Sequence, residues 1–220
     1  ESVKLKAHEN NLAFGVVTFD PHPRDFFSSK KSSFKLLDRQ EKEYQLAKIG
    51  VEYLIIIEFN EELKNCTSNE FLSDILYRQL NVVKMFAGSN FRFGKDREGT
   101  IKNSKEFSHS FGLEISAVDL EQTSSLNFKD ETVISSQSIR GLISDGELET
   151  ASKLLGRNWG VTGVVKKGKQ QGRELGFATA NVDMDFFLKP PLGVYVTKLK
   201  IIDQKINETS NDWLPSISNM

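Results

Sequence analysis

The stretch Val51–Glu58, VEYLIIIE, carries five consecutive apolar residues where a half-exposed strand would alternate. A strand apolar on both sides needs cover on both faces, the condition of a parallel sheet with helices above and below it. Similar runs recur at Leu12–Phe19, Val82–Ala87 and Leu113–Leu120. Helical segments with readable ends lie between them. Asp38 followed by Glu41, and Thr67 followed by Glu70, have capping-box spacing; Gly50 stands where a helix stops, and Thr100 opens a segment ending near Gly112. This alternation predicts an α/β fold with a parallel, doubly wound sheet, whose ligands bind beyond the carboxyl ends of the strands.

Composition narrows the class. Of 220 residues, 38% are hydrophobic and 27% charged, which fits a globular chain with a real core. The single cysteine, Cys66, excludes an internal disulfide and a zinc cluster and suits a reducing, cytoplasmic setting. No apolar run approaches membrane-spanning length, so no membrane partner is expected. The net charge of −1 hides an asymmetry: residues 151–220 hold 10 Lys+Arg against 6 Asp+Glu, whereas the first 150 are acidic overall. Beyond about Gly156 the pattern also changes, to short alternating runs rich in glycine. That part reads as a small antiparallel, barrel-like β unit suited to an anionic ligand.

Four loops have unusual composition. Thr18–Pro23, TFDPHP, clamps Asp20 and His22 against two prolines, so it can continue neither a helix nor a central strand. It is either a rigid turn with a solvated histidine or a preset wall of a ligand cleft. Gly88–Gly94, GSNFRFG, also follows a strand; Asn90 offers an amide, Arg92 a bidentate anion donor, and Phe91 and Phe93 either core or ring surfaces. In SSQSIR, Ser135 and Ser136 precede a helix whose first turn carries Arg140; they cap its amides, and the same groups suit phosphate. In GKQQGRELGFATAN, Gly168 and Gly172 allow close approach to phosphate beside Lys167, Lys169 and Arg173, unless this is simply a hairpin. Thr179 and Asn181 fall on one face of an extended segment and offer oxygen ligands acceptable to magnesium.

Taken in order, TFDPHP, GSNFRFG, SSQSIR, LLGRNWGVTGVV, GRELGFATAN and LGVYV resemble the bacterial bifunctional riboflavin kinase/FMN adenylyltransferase (FAD synthetase) family over nearly the whole chain. The resemblance implies a Rossmann-like nucleotidyltransferase domain over residues 1–155 and a partial, riboflavin kinase-like antiparallel β-barrel over 156–220. It implies two phosphate displacements: riboflavin with ATP to FMN, and FMN with ATP to FAD and pyrophosphate, with Mg²⁺ as the metal. Neither reaction requires a covalent enzyme intermediate, in keeping with the lack of a nucleophile–base set.

The resemblance also implies roles. Thr18, Phe19, Asp20, Pro21 and His22 line the nucleotide and flavin cleft, and Asn90 bonds the ligand with Phe91 and Arg92 beside it. Ser135, Ser136 and Arg140 hold ATP phosphates. Gly168, Gly172 and Arg173 shape a flap over ATP, and Thr179 and Asn181 hold Mg²⁺ and phosphate. Gln137, Asn158 and Ala178 stand where the family usually has threonine, proline and proline. Catalytic residues are expected outside the sequence: a paired-histidine motif before Glu1 and a kinase carboxylate after Met220. The chain is accordingly read as an internal piece of a longer polypeptide, inactive by itself. Small-molecule partners are expected and nucleic acid is not, since the few aromatics of the basic unit suffice only for its core. Phe186 and Phe187 are core residues or a self-association patch.

Overall fold

The computed structural model describes residues 2–28, 33–118, 133–168, 176, 179–203, 208–209 and 213–220. It falls into two compact units: residues 1–32 with 37–135, and residues 33–36 with 136–220.

The first unit is built on two parallel strand pairs. β1 (Gly15–Asp20) pairs with β2 (Tyr53–Glu58), Gly15 opposite Tyr53 through to Asp20 opposite Glu58. β3 (Lys84–Gly88) pairs with β6 (Glu114–Val118), Lys84 opposite Glu114. β2 and β6 fall within the sequence-predicted runs, and β1 and β3 each extend one residue past theirs, to Asp20 and Gly88. Side chains alternate along a strand, so each pair has two faces. Val17, Phe19 and Ile57 pack on a buried cluster of Phe71, Leu72, Leu76, Phe93, Ile101, Leu113 and Ile115. Thr18, Asp20, Ile56 and Glu58 therefore share the opposite face. Among the described residues the hydrogen bonding joins these strands only in twos, so the continuous doubly wound sheet is not formed by their pairing.

The first unit's helices are α1 (Ser2–Glu9), α2 (Pro23–Phe27), α3 (Arg39–Lys48), α4 (Glu61–Asn65), α5 (Ser68–Glu70) and α6 (Ile101–His109). Their caps follow the sequence signals. Asp38 accepts from the Glu41 amide at 2.7 Å, and Gly50 follows α3 in the left-handed region, φ 83°. Thr67 and Glu70 form a complete capping box, as do Thr100 and Asn103. The pattern does not foretell the continuation of α5 as a π-helix, Phe71–Gln79. Leu80 N–H donates to Ile75 O at 3.0 Å, a five-residue step. Buried Phe71 and Leu76 are five apart, and the wider turn places both on the core side.

In the second unit α7 (Ser136–Ser144) and α8 (Leu148–Leu155) pack through Ile139, Ile143 and Ala151. Leu36, Trp159 and Leu188 close that small core. The helices belong to this unit by contact, although the change of pattern at Gly156 lies beyond them. Residues 33–36 are stitched into it. Lys35 N–H donates to Phe186 O at 3.1 Å and Leu188 N–H to Lys35 O at 3.0 Å, making a parallel bridge from Lys35 to Phe187. Phe34 is 4% exposed. Beyond them lie β7 (Val165–Lys166) with β8 (Asn181–Val182), β9 (Val194–Leu199) with β12 (Leu214–Asn219), and β10 (Ile202–Asp203) with β11 (Glu208–Thr209), each pair antiparallel. The expected antiparallel character holds, but the described strands close no barrel, because each pairs with one neighbour only.

Two predictions follow from local geometry. Gly94 has φ 74°, and a Cβ there would meet the Ser68 backbone nitrogen at 2.5 Å, whereas a Cβ on Gly141 meets nothing within 4 Å. Gly94→Ala is expected to lower unfolding stability by about 1–3 kcal/mol. Gly141→Ala, in the middle of α7, is expected to raise it by about 0.5–1 kcal/mol, read by denaturant titration. The Glu70 carboxyl is held below its ordinary value, first by the Thr67 amide and then by the Thr67 hydroxyl. A depressed carboxylate stabilises the fold above its unfolded value and loses that contribution as pH falls through the folded value. Stability of the wild type is expected to drop below about pH 4.5, the ordinary glutamate value. In Thr67→Ala the amide still donates to Glu70, so only the hydroxyl's share of the drop disappears, and stability at neutral pH falls by about 1 kcal/mol.

Candidate functional site

The carboxyl ends of β1 and β2 carry Asp20 and Glu58 in register, under the start of α3. With Pro21, Ile56 and Arg39 they line a shallow, open depression of about 400 Å³. Arg39 Nε donates to Glu43 at 2.7 Å. That bond, aided by the nearby Asp20 charge, makes the guanidinium a still weaker acid. One turn along α3, Lys42 Nζ donates to Thr18 Oγ1 at 3.3 Å. The α3 helix thus sets two cations, three residues apart and so on one side, against the polar face of the β1–β2 pair.

The TFDPHP residues do not act as one wall. Thr18 and Asp20 face α3, whereas Phe19 turns into the core, its ring 6.1 Å from Phe59 and 6.2 Å from Phe71. Pro21 follows a cis Asp20–Pro21 bond and borders the depression. His22 is a helix cap: its Nδ1 accepts from Arg24 N–H at 3.1 Å, which leaves the ring proton on Nε2 when the ring is neutral. Of Thr18–His22, Asp20 and Pro21 line the depression, Thr18 on the same face bonds Lys42, Phe19 lies on the opposite face of β1, and His22 caps α2.

GSNFRFG turns out of β3 into a hairpin, β4 (Arg92–Phe93) with β5 (Gly99–Thr100). Phe93 is buried, 6% exposed, and Phe91 stacks on it at 5.6 Å and 19°. Phe93 is thus core, not a ligand platform. Asn90 and Arg92 are exposed at the mouth of the turn. The rings connect the two loops through the core, since Phe71 lies 5.6 Å from Phe93 as well as beside Phe19.

The SSQSIR segment differs from expectation in one respect. Ser136 is the first residue of α7, so Arg140 falls in the second turn and not the first. Its Nε donates to Phe34 O at 2.9 Å and its guanidinium lies 5.2 Å from the Phe34 ring centre. Trp159 makes a parallel stitch, Nε1 donating to Leu36 O at 3.2 Å.

In the β7–β8 hairpin, Asn181 pairs with Lys166 in register, and its side chain fills the space a Cβ on Gly168 would take. Lys166 pairs with Asp183; the bond holds the Asp183 carboxyl below its ordinary pKa and lifts that of the Lys166 ammonium. Thr179 and Asn181 are exposed. Gly172 and Arg173, with Lys169 and Ala178, lie outside the described residues. Phe186 and Phe187 part company: Phe187 is buried and Phe186 is half-exposed beside the Lys35 ammonium.

Arg39, Lys42 and Glu58 were not singled out in the sequence. Glu58 had a signal: it ends VEYLIIIE in the polar way that Asp20 ends its own run.

The FAD synthetase family model matches residues 1–137, and the riboflavin kinase model matches residues 155–220. The chain belongs to the FAD synthetase family. Its relatives include the bifunctional riboflavin kinase/FMN adenylyltransferases of Buchnera aphidicola, 31% identical over 90% of this chain and 62% of that protein, and of Escherichia coli K12, 30% identical over 100% and 66%. The Bacillus subtilis protein is 30% identical over 96% of this chain and 65% of its own length. The chain thus spans a little under two thirds of these relatives. A crystal structure described as a macrolide-efflux protein from Streptococcus pneumoniae superposes with TM-score 0.80 at 26% identity, covering 99% of this chain and 66% of that one. Among the described residues no helix is long and apolar enough to cross a membrane.

The stitches are testable. Arg140→Lys removes the planar donor and its stacking on Phe34, and Trp159→Phe removes the Leu36 bond; each is expected to cost about 1–2 kcal/mol of stability. Thermal unfolding followed by Trp159 fluorescence in Arg140→Lys, and by circular dichroism in Trp159→Phe, checks both.

Proposed function

We propose that this chain serves FAD synthesis: ATP-dependent phosphorylation of riboflavin to FMN in the second part of the sequence, and adenylylation of FMN to FAD in the first. The observation that carries the reading is the order of two family matches on one chain, FAD synthetase before riboflavin kinase, as in the bifunctional relatives. The domain assignment that goes with it is 1–155 for a Rossmann-like adenylyltransferase and 156–220 for part of a kinase β-barrel. Nothing in the reading requires a macromolecular partner, and a cytoplasmic site of action suits the free thiol of Cys66.

Phosphoryl and adenylyl transfer need positioning and charge neutralisation more than covalent help. In the first part, Asp20 and Pro21 shape a cleft edge, the Lys42 bond orients the Thr18 hydroxyl, and Asn90 and Arg92 stand beyond the end of β3. Phe19 and Phe91 support these loops from the core side, and His22 fixes the turn as a cap. Ser135, Ser136 and Arg140 are the proposed phosphate set.

In the second part, Gly168, Gly172 and Arg173 are the proposed flap. Thr179 and Asn181 suit a hard cation, as both offer neutral oxygen donors, and the Asn181 side chain is seated where only a glycine at 168 leaves room. Bound there, Mg²⁺ would supply charge neutralisation at phosphate oxygens.

The test is to supply riboflavin, ATP and Mg²⁺ to this chain and to a protein extended to the relatives' full length, then separate the flavins. The expected result is FMN and FAD from the extended protein. Absence of both products, together with no flavin binding, would overturn the proposal. FMN without FAD would confine it to the kinase and implicate the segment around Gln137.

A further inference from the structure

We propose that Glu58 is a substrate-positioning residue, and that the depression it shares with Asp20 takes the hydroxylated chain of a flavin rather than its phosphate. The inference rests on the flavin reading above and adds which part of the ligand the depression accepts.

Three observations support it. The lining is mixed, with carboxylates on Asp20 and Glu58, a guanidinium on Arg39, and apolar surface from Pro21 and Ile56. Of the two cations of α3, Arg39 is engaged by Glu43 at 2.7 Å and Lys42 by the Thr18 hydroxyl at 3.3 Å, so a ligand in the depression meets the two carboxylates as its acceptors. A phosphate dianion is repelled by such a lining, whereas hydroxyl groups donate to it, because an ionised carboxylate only accepts. Finally, the register sets Asp20 directly opposite Glu58, and Phe59 N–H donates to Asp20 O at 3.3 Å, so the two strand ends stay side by side. A flexible chain bearing several hydroxyls can donate to both at once while its carbons lie against Pro21 and Ile56.

The experiment compares two flavins. Riboflavin carries the hydroxylated chain, and lumiflavin has a methyl group in its place. Flavin fluorescence titration of the full chain is expected to show that Glu58→Leu weakens riboflavin about tenfold or more and changes lumiflavin less than about twofold. Glu58→Gln, which keeps an acceptor oxygen, should recover most of the loss, and Glu62→Leu on the exposed side of α4 should do nothing. Any second binding phase from the kinase-like unit should be untouched. Circular dichroism checks that the variants fold, and Glu58→Gln against Glu58→Lys repeats the comparison if Glu58→Leu does not. Equal loss for both flavins, or no loss for either, overturns the inference and leaves the flavin reading standing. A protein extended to the relatives' full length that binds neither flavin overturns the reading itself.

Discussion

The in-register parallel pairing of β1 with β2 decides what each residue of the first cleft can do. Because facing residues share a side, one register places Val17, Phe19 and Ile57 in the core and Thr18, Ile56, Asp20 and Glu58 beneath α3. A slip by one residue would exchange the two sets, burying carboxylates and exposing phenylalanine, so burial itself enforces the register. The polar face then draws the cations of α3, and the proline-bound turn begins where the last pair ends. Elements distant in sequence meet at this edge because two short strands match.

Much of this was legible. Strand positions followed from apolar runs of the right length, and helix starts from Asp38, Thr67 and Thr100, because both signals are local and each corresponds to one backbone requirement. The faces of TFDPHP were legible in principle too: alternation alone separates Thr18 and Asp20 from Phe19. Arg140 could not be read in the same way. Its Phe34 partner lies 106 residues away, and no local pattern reports a bond of that separation. The same applies to Phe93, which has the composition of a ligand loop but a position set by the packing of Phe71. The π-helix was hidden for another reason: a spacing of five between core residues fits a wide turn only once the surrounding core is known.

Arginine at 140 illustrates how one residue type serves two needs. A guanidinium that suits phosphate also suits a backbone carbonyl and the face of a ring, and in this chain the Phe34 carbonyl and ring are among the contacts it makes. Whatever the segment binds, the pose of Arg140 is tied to the placement of residues 33–36.

Those four residues also bear on how the protein is made. Ser33 finds its partner Asp185 across 152 residues of chain. At a ribosomal pace of about 5–20 residues per second, Phe34 and Leu36 leave the tunnel roughly 5–30 seconds before the segments that cover them, which run from Arg140 to Leu188. During that interval two large apolar side chains wait without their cover, inside a stretch whose flanking halves can already begin to fold. The second unit is therefore begun before the first is complete, and a nascent chain stalled between its two parts would present the Phe34 and Leu36 side chains to chaperones.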